Sequence, residues 1–179
     1  MTQDHDIMLS VRKGDVQKLS LLFDRYSKRL YNYFQLQIKD RLKSEDLVQN
    51  VFYNILRYRH TYKDGFDFRT WMYTIARNEK NHYFKKRRIL HNDVDTEPSD
   101  GIHSNPERDL EHKMNVDHLY MALQGISSDN RELIILSRFN GLPYSQISKI
   151  LGCKIGTLKV RMYRAIRELK DQFEKIAGE

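Results

Sequence analysis

Apolar residues recur at three- and four-residue steps in both halves of this chain, and α-helices are the elements that bury such a pattern on one face. The first stripe consists of Val16, Leu19, Leu22, Phe23, Tyr26, Leu30, Tyr33 and Phe34. A second consists of Leu47, Val48, Val51, Phe52 and Ile55. No segment alternates apolar and polar residues as a half-buried strand does. The sequence therefore predicts an all-α protein.

Capping residues, glycine and proline set the expected helix boundaries. Asp15 and Ser44 are expected to cap the first two long helices. A loop with Gly65 should precede a third helix, over residues 70–88. In the second half the pattern predicts helices near residues 106–123, 129–139, 143–151 and 155–175.

The segment 91–109 differs in composition from both of its flanks. It contains Pro98, Pro106 and Gly101 with several Ser and Asn, and too little apolar surface to offset the entropy of ordering. We therefore expect a flexible acidic linker here, between two small helical domains at residues 1–90 and 110–179.

The charge of the chain divides in the same way. Residues 1–91 carry 19 Lys and Arg against 10 Asp and Glu, residues 92–111 carry 1 against 7, and residues 112–179 carry 11 against 7. Two basic blocks favour binding to a polyanion such as nucleic acid, although a generic basic surface would give the same count.

Several classes of function are disfavoured by what the sequence lacks. No phosphate-binding glycine loop and no zinc-ligand spacing occurs, so we expect no catalytic residues, no metal and no cofactor. No apolar run approaches the roughly 20 residues that span a bilayer. The single cysteine, Cys153, cannot form an internal disulfide, so a cytoplasmic protein is expected, with a small residue in a turn as the ordinary explanation and a redox sensor as the other.

Residues 143–175 have the pattern of a helix-turn-helix, with Gly152, Cys153 and Lys154 in the turn. On a helical wheel one side of the last helix carries Leu158, Met162, Ala165, Ile166, Leu169 and Phe173. The other side carries Gly156, Val160, Tyr163, Arg164 and Arg167, flanked by Lys159 and Arg161. Such a basic face behind a tight turn favours insertion into a DNA major groove over a solvated surface.

Three ordered motifs resemble those of extracytoplasmic-function sigma factors of bacterial RNA polymerase. The segment LPYSQISKILGCKIGTLKVRMYRAIREL (residues 142–169) is similar to their region-four signature, LPYxEIAxxLGxxxGTVKxRxxRAxxxL. SEDLVQNVF (residues 44–52) and FRTWMYTIARN (residues 68–78) are similar to the region-two motifs AEDLVQEVF and FxTWLYRIARN. The resemblance implies a non-catalytic initiation factor with a region-two helical bundle and a region-four helix-turn-helix.

The resemblance also implies roles for the region-two residues. Asp46, Gln49 and Asn50 correspond to a face that grips the clamp helices of the largest polymerase subunit, and Asn50 replaces the usual Glu. In the family, the loop before the third helix captures a flipped base of the −10 element. The third helix then lies along the backbone phosphates of the same strand. The corresponding residues here are Tyr62, Lys63, Asp64, Gly65, Phe66, Arg69, Arg77, Lys80, Asn81, Lys85 and Arg88. For Phe68 and Trp71 a place in the core is the better interpretation.

In region four the resemblance assigns reading of the −35 element to Gly156, Thr157, Lys159, Val160, Arg161, Tyr163, Arg164 and Arg167. The implied partners are core RNA polymerase, through its clamp helices and flap region, promoter DNA and an anti-sigma factor, with no membrane insertion. A cytoplasmic location is implied, on the nucleoid when the chain is in the holoenzyme.

Two other interpretations stay open at this stage. A free-standing regulator would bind duplex DNA through the helix-turn-helix without polymerase, but it would leave the aromatic residues of the Tyr62–Phe68 loop unexplained. A nucleic-acid-processing enzyme would need a carboxylate cluster or metal site, which the sequence does not suggest.

Overall fold

The structure is a computed structural model that describes residues 3–90 and 110–178. The described residues contain no strand, which confirms the predicted all-α class. Their α-helices are α1 (Asp4–Arg12), α2 (Leu19–Ile38), α3 (Arg41–Arg57), α4 (Phe68–Leu90), α5 (Leu110–Gly125), α6 (Ser128–Ile134), α7 (Tyr144–Leu151) and α8 (Ile155–Ala177). The predicted linker, residues 91–109, lies outside the described residues.

The N-terminal domain consists of α1 to α4. Its core combines the buried residues of the two predicted stripes: Leu22, Tyr26, Leu30, Tyr33 and Phe34 from α2, and Leu47, Val48, Val51, Phe52 and Ile55 from α3. At the edge of the first stripe, Val16 is 42% and Phe23 41% exposed. Helix α1 was not predicted, although Ile7, Met8 and Val11 lie on one face of it and are fully buried.

Two expected caps are wrong. Asp15 makes no capping hydrogen bond, because a short 3₁₀ turn, Val16–Lys18, precedes α2. Helix α3 begins three residues earlier than Ser44, where the Asp40 carboxylate accepts a hydrogen bond from the backbone N–H of Lys43. The Ser44 hydroxyl is inside the helix and donates to the Asp40 carbonyl oxygen at 2.7 Å.

The C-terminal domain consists of α5 to α8. Helix α6 ends at Ile134 and continues as a wider π turn, Ile135–Phe139, so the helix predicted over residues 129–139 has two parts. Leu158, Met162 and Ala165 of α8 are buried, as the wheel predicts, whereas Ile166 is 39% exposed. Part of the predicted apolar face thus lies at the rim of the domain.

The two domains pack against each other. Helices α2 and α4 of the first contact α5, α6 and α7 of the second, and the buried apolar residues of both form one cluster. Tyr33 and Tyr73 lie at this junction, where both are fully buried. The rings meet edge to face, with centroids 5.6 Å apart. The interdomain surface is therefore part of the molecule's core.

Candidate nucleic-acid and polymerase interfaces

Helices α7 and α8 form the helix-turn-helix. Helix α7 ends at Leu151 and is capped by Gly152. The φ of Gly152, 69°, lies in the left-handed region that favours glycine, and this conformation turns the chain sharply. Helix α8 starts at Ile155 with its first turn open, since a Cβ added at Gly156 would meet no atom within 4 Å. The backbone at the start of α8 is therefore open around Gly156.

The outer face of α8 is exposed as its sequence predicts. Val160 is 53% and Tyr163 73% exposed. The other predicted −35 residues in the exposed class are Gly156, Thr157, Lys159, Arg164 and Arg167. Arg161 differs: it is half-buried, and its guanidinium lies 3.9 Å from the Asp129 carboxylate. Arg161 thus belongs to the contact with α6 in this structure and not to the open face.

The loop before α4 is held in place by the N-terminal helix. One ring nitrogen of His5 hydrogen-bonds the Tyr62 hydroxyl at 2.9 Å, and the other lies 2.9 Å from the Asp64 carboxylate. This contact with His5, together with a hydrogen bond from the backbone N–H of Gly65, lowers the pKa of the Asp64 carboxyl. Phe66, at the tip of the loop, is 49% exposed, as a ring that stacks on a base must be. Lys63 beside it is also exposed.

Tyr62 corrects the expectation for this loop. Its side chain is 1% exposed, packed against Trp71 and Phe68, and its hydroxyl donates to the Phe66 carbonyl at 2.6 Å. The ring is therefore not available to stack on a base in this conformation, and Tyr62 supports the loop from beneath. Phe68 is buried and Trp71 packs against the core, as the alternative interpretation of these two residues predicts.

The polar residues predicted to follow the −10 strand lie along α4, and we call Arg69, Arg77, Lys80, Asn81, Lys85 and Arg88 the α4 basic face. Its C-terminal half is open, since Asn81, Lys85 and Arg88 are exposed. Its N-terminal half faces the C-terminal domain. Lys80 is only 3% exposed, so this residue cannot reach a ligand while the two domains are in contact.

Glu132 of α6 is the partner of that covered half. Its carboxylate accepts a hydrogen bond from the Tyr33 hydroxyl at 2.6 Å and lies 2.8 Å from Lys80 Nζ and 3.4 Å from Arg77 Nε. Burial, followed by the charge and hydrogen bond of Glu132, raises the pKa of Tyr33 well above its ordinary value. Burial lowers the pKa of Lys80, which the nearby Glu132 partly offsets. We call Tyr33, Arg77 and Lys80, which surround the Glu132 carboxylate, the Glu132 pocket.

A second polar contact joins the domains beside this pocket. Arg69 donates to the backbone carbonyl of Asn140 at 2.5 Å, and Tyr73 donates to the Asn140 side-chain oxygen at 2.5 Å. Burial raises the pKa of Tyr73 and keeps the phenol protonated. Glu132, Asn140 and Tyr73 were not predicted, and Tyr33 was predicted only as a member of the first apolar stripe. The one sequence signal was an acid directly before the apolar run Leu133–Leu136.

The predicted polymerase-binding edge lies on α3, on the side away from the core. Asp46, Gln49 and Asn50 are all exposed, while Leu47 and Val48 between them are buried. Lys43 lies 3.3 Å from the Asp46 carboxylate across one helical turn. Such an exposed ion pair contributes little to stability, so Asp46 is free to exchange it for a partner protein.

No group of three or more His, Cys, Asp or Glu side chains in the described part of the chain is arranged to hold a metal ion. No helix among the residues described is both long and apolar enough to cross a membrane.

Comparison with known families gives two matches along the chain. The model of sigma-70 region 2 matches residues 22–89, and the model of sigma-70 region 4 matches residues 117–169. The first match covers α2 to α4, and the second extends from within α5 into α8. Each match therefore lies within one of the two domains, and residues 90–116 fall between them.

Characterised relatives match over nearly the full length. The ECF RNA polymerase sigma factor SigX of Bacillus subtilis is 27% identical over 169 residues, covering 91% of this chain and 87% of the relative. The RNA polymerase sigma-H factor of Pseudomonas aeruginosa is 29% identical over 180 residues, covering 95% of this chain and 93% of that protein.

Solved structures show a similar fold. The sigma factor RpoE from Bartonella quintana, crystallised with the anti-sigma factor NepR, superposes with a TM-score of 0.75 at 27% identity, covering 87% of this chain and 96% of that one. CnrH in complex with the cytosolic domain of CnrY gives a TM-score of 0.75 over 96% of this chain and 97% of that one. At 16% identity the likeness to CnrH concerns the fold alone.

Proposed function

Because this chain belongs to the extracytoplasmic-function branch of the sigma-70 family, we propose that it binds core RNA polymerase and directs initiation at promoters with matching −10 and −35 elements. It is an initiation factor without catalysis of its own. The observation that carries the proposal is the outer face of α8, where exposed Arg164, Arg167 and Lys159 follow a tight glycine turn. We propose domain limits of 1–90 and 110–179, with residues 91–109 as the connector.

In this proposal α8 reads the −35 element as duplex DNA. The open backbone at Gly156 and Thr157 lets the helix approach the floor of the major groove. Arg164 and Lys159 then reach base edges, because an Arg or Lys side chain matches the acceptors of guanine. Arg167, further along the same helix, contacts backbone phosphate. Val160 and Tyr163 provide apolar contact surface.

The N-terminal domain opens the −10 element. Phe66 and Lys63, at the exposed tip of the loop, hold an unpaired base by stacking and by charge. A stacked base contributes ~1–3 kcal/mol, and opening a base step costs ~1.4 kcal/mol. A few captured bases therefore balance local melting without ATP. The α4 basic face follows the phosphates of the captured strand.

Polymerase recruitment is assigned to α3, whose exposed acidic and amide edge (Asp46, Gln49, Asn50) contrasts with an otherwise basic domain. We propose that this edge binds the clamp helices of the largest subunit and that the C-terminal domain binds the flap region. We propose that the acidic connector binds in the RNA channel, since its charge resembles that of nucleic acid.

We also propose an anti-sigma factor as a partner, since the related RpoE structure contains one named NepR. The proposed location is the cytoplasm, with the chain on the nucleoid when it is bound to polymerase.

Binding to purified core polymerase tests this function directly. A fluorescently labelled chain titrated with core enzyme, without DNA, should show saturable binding. A free-standing DNA regulator would instead bind a −35-like duplex tightly by itself and ignore core enzyme.

A further inference from the structure

The Glu132 pocket consists of residues from the N-terminal domain, but the anion inside it comes from the C-terminal domain. Tyr33 and Lys80 are both buried and contact the carboxylate at 2.6 and 2.8 Å. Arg77 closes the third side at 3.4 Å. Two cations and a phenol hydroxyl that converge on one carboxylate form a built anion site.

We infer that this pocket is a phosphate site, which Glu132 occupies in the free chain and a backbone phosphate of the −10 strand occupies once the two domains separate. The inference rests on the proposed function, because it takes the ligand to be promoter DNA. It makes Glu132 an internal competitor of that DNA.

The chemistry of the two anions supports the exchange. Carboxylates and phosphates both present charged oxygen acceptors to Arg and Lys, and hydrogen bonds between such charged partners are the strong ones. Burial lowers the pKa of Lys80, so a charged Lys80 at this position requires an anion beside it. Glu132 meets that requirement when no DNA is bound.

The neighbouring contact has the same character. Arg69 of the α4 basic face donates to the Asn140 carbonyl, again an oxygen of the C-terminal domain. Three cations of that face, Arg69, Arg77 and Lys80, are therefore engaged by the C-terminal domain, while Lys85 and Arg88 are exposed. The closed arrangement covers the N-terminal half of the α4 basic face and leaves its C-terminal half available for a first encounter with DNA.

Some polar donors at the interface have no hydrogen-bond partner within the protein. Among the residues that the structure describes, the buried donor atoms without a hydrogen-bond partner include Gln37 Nε2, Arg69 Nε and Arg131 Nε. All three residues belong to the junction, since Arg131 donates to the Gln37 carbonyl and Arg69 to that of Asn140. When the domains are apart, these donors can hydrogen-bond to water.

Closure lowers the apparent affinity of the N-terminal domain for single-stranded DNA. The apparent dissociation constant equals the intrinsic one divided by the fraction of open chains. A substitution that opens the domains without removing a cation should therefore tighten binding, and the change measures how far the free chain is closed.

The test compares Glu132→Gln with Asp129→Asn in the full-length chain. Both substitutions remove one negative charge from α6, but the Asp129 side chain is 80% exposed and pairs with Arg161 of α8, not with Lys80 or Arg77. The probe is a fluorescein-labelled single-stranded oligonucleotide of mixed sequence, and the readout is anisotropy without polymerase. We expect Glu132→Gln to tighten binding about tenfold. Asp129→Asn should tighten it less than about twofold, as expected for a general change of charge at the surface.

Two more measurements separate masking from a general effect. Lys80→Met also breaks the Lys80–Glu132 ion pair, but it removes the ammonium group that would bind the phosphate. It should therefore open the domains with no gain in DNA affinity. A water-soluble, amine-reactive acylating reagent tests whether Lys80 is accessible. The rate of Lys80 acylation, measured by mass spectrometry, should be low in the wild-type chain and higher in Glu132→Gln. If Glu132→Gln fails to fold, Tyr73→Phe weakens the same junction through Asn140 and should give both effects to a smaller extent.

Equal DNA affinity and equal Lys80 acylation in the wild type and Glu132→Gln would overturn the inference. So would a gain in affinity that Lys80→Met shares. Neither result touches the proposed function, which the wild-type chain's binding to core polymerase tests by itself.

Discussion

Lys80 of α4 and Glu132 of α6 lie 2.8 Å apart at the junction of the two domains, with side chains 4% and 2% exposed. A buried ion pair contributes little net stability compared with an apolar contact. Removing one partner, however, leaves an unpaired buried charge, which strongly destabilises the folded state. The pair therefore specifies how the domains meet. It also places a cation of the proposed −10 surface inside the protein.

The four tyrosines with raised pKa predict how stability depends on pH. Tyr33, Tyr26, Tyr62 and Tyr73 have pKa values raised above the ordinary value of 10.0, in each case mainly by burial. Their stabilising contribution is fully present below pH 10 and is lost as the pH rises toward the folded-state pKa, because the unfolded chain releases these protons first. Lys80 acts in the opposite sense, since its lowered pKa makes the unfolded chain hold its proton longer.

The four tyrosines lower the stability as the pH rises, and Lys80 alone has the opposite effect. We therefore expect the free energy of unfolding, measured by urea titration, to fall between pH 10 and 11. One fully displaced proton contributes about 1.4 kcal/mol per pH unit. Tyr33→Phe should reduce this slope. The account of the Glu132 pocket is contradicted if the slope is the same in that variant as in the wild type.

The start of α3 gives a prediction on stability. Asp40 accepts a hydrogen bond from the Lys43 N–H at 3.0 Å and caps the helix. Asp40→Ala should lower the free energy of unfolding by about 1 kcal/mol. Asp15→Ala is the matched control, since Asp15 makes no capping bond, and it should change the free energy by less than about 0.5 kcal/mol. If chemical denaturation shows the same loss of unfolding free energy in both variants, the Asp40 cap contributes no specific stability.

The polymerase edge predicts a defect in recruitment. Replacing Asp46 and Gln49 by Ala should weaken binding to core enzyme, because both side chains are exposed on α3 and serve no core contact. Circular dichroism should stay unchanged. Asp24→Ala, which removes another exposed carboxylate, on α2, controls for the change in charge. Unchanged affinity of the double variant for core polymerase would remove this face from the interface.

The outer face of α8 should divide into a residue that reads bases and one that binds phosphate. Arg164→Ala should reduce discrimination among −35 variants, at a cost of about 1–3 kcal/mol for a lost bidentate guanine contact. Arg167→Ala should weaken all promoters alike and lower the salt slope by about one unit. Both residues are exposed, so neither change should harm the core.

Transcription from ranked promoter variants at two salt concentrations measures both effects. If Arg164→Ala scales every promoter down equally, Arg164 is a phosphate contact and the reading face of α8 is rotated. If neither variant has an effect, the helix-turn-helix does not read the −35 element.

The local features of the fold were predictable because they depend on spacing along one helix. The stripes of α2 and α3 and the open face of α8 follow from residues three and four positions apart. Helix starts were less predictable, because two nearby residues compete for one cap. Asp40 and Ser44 both suit the start of α3. In the structure the Asp40 carboxylate caps the helix, and the Ser44 hydroxyl lies inside it, where it donates to the Asp40 carbonyl oxygen.

The contacts between the domains could not be predicted in this way. Glu132 and Lys80 are distant in sequence, and a charged residue on a helix is normally exposed. Neither segment therefore contains a pattern that predicts this ion pair. Tyr62 is a similar case, since an aromatic residue next to a lysine suits both a DNA-binding loop and a core. In this conformation the Tyr62 ring is buried and its hydroxyl donates to the Phe66 carbonyl, so Tyr62 belongs to the core.

The most direct test of the central claim is transcription in vitro with purified core RNA polymerase. A library of promoter fragments should yield transcripts that depend on the added chain, start at defined positions and share −10 and −35 sequences. The account predicts no initiation at these sites from core enzyme alone, and no tight duplex binding by the chain without polymerase. Initiation that is indifferent to the chain would contradict it, as would high-affinity binding of a −35-like duplex with no effect on polymerase.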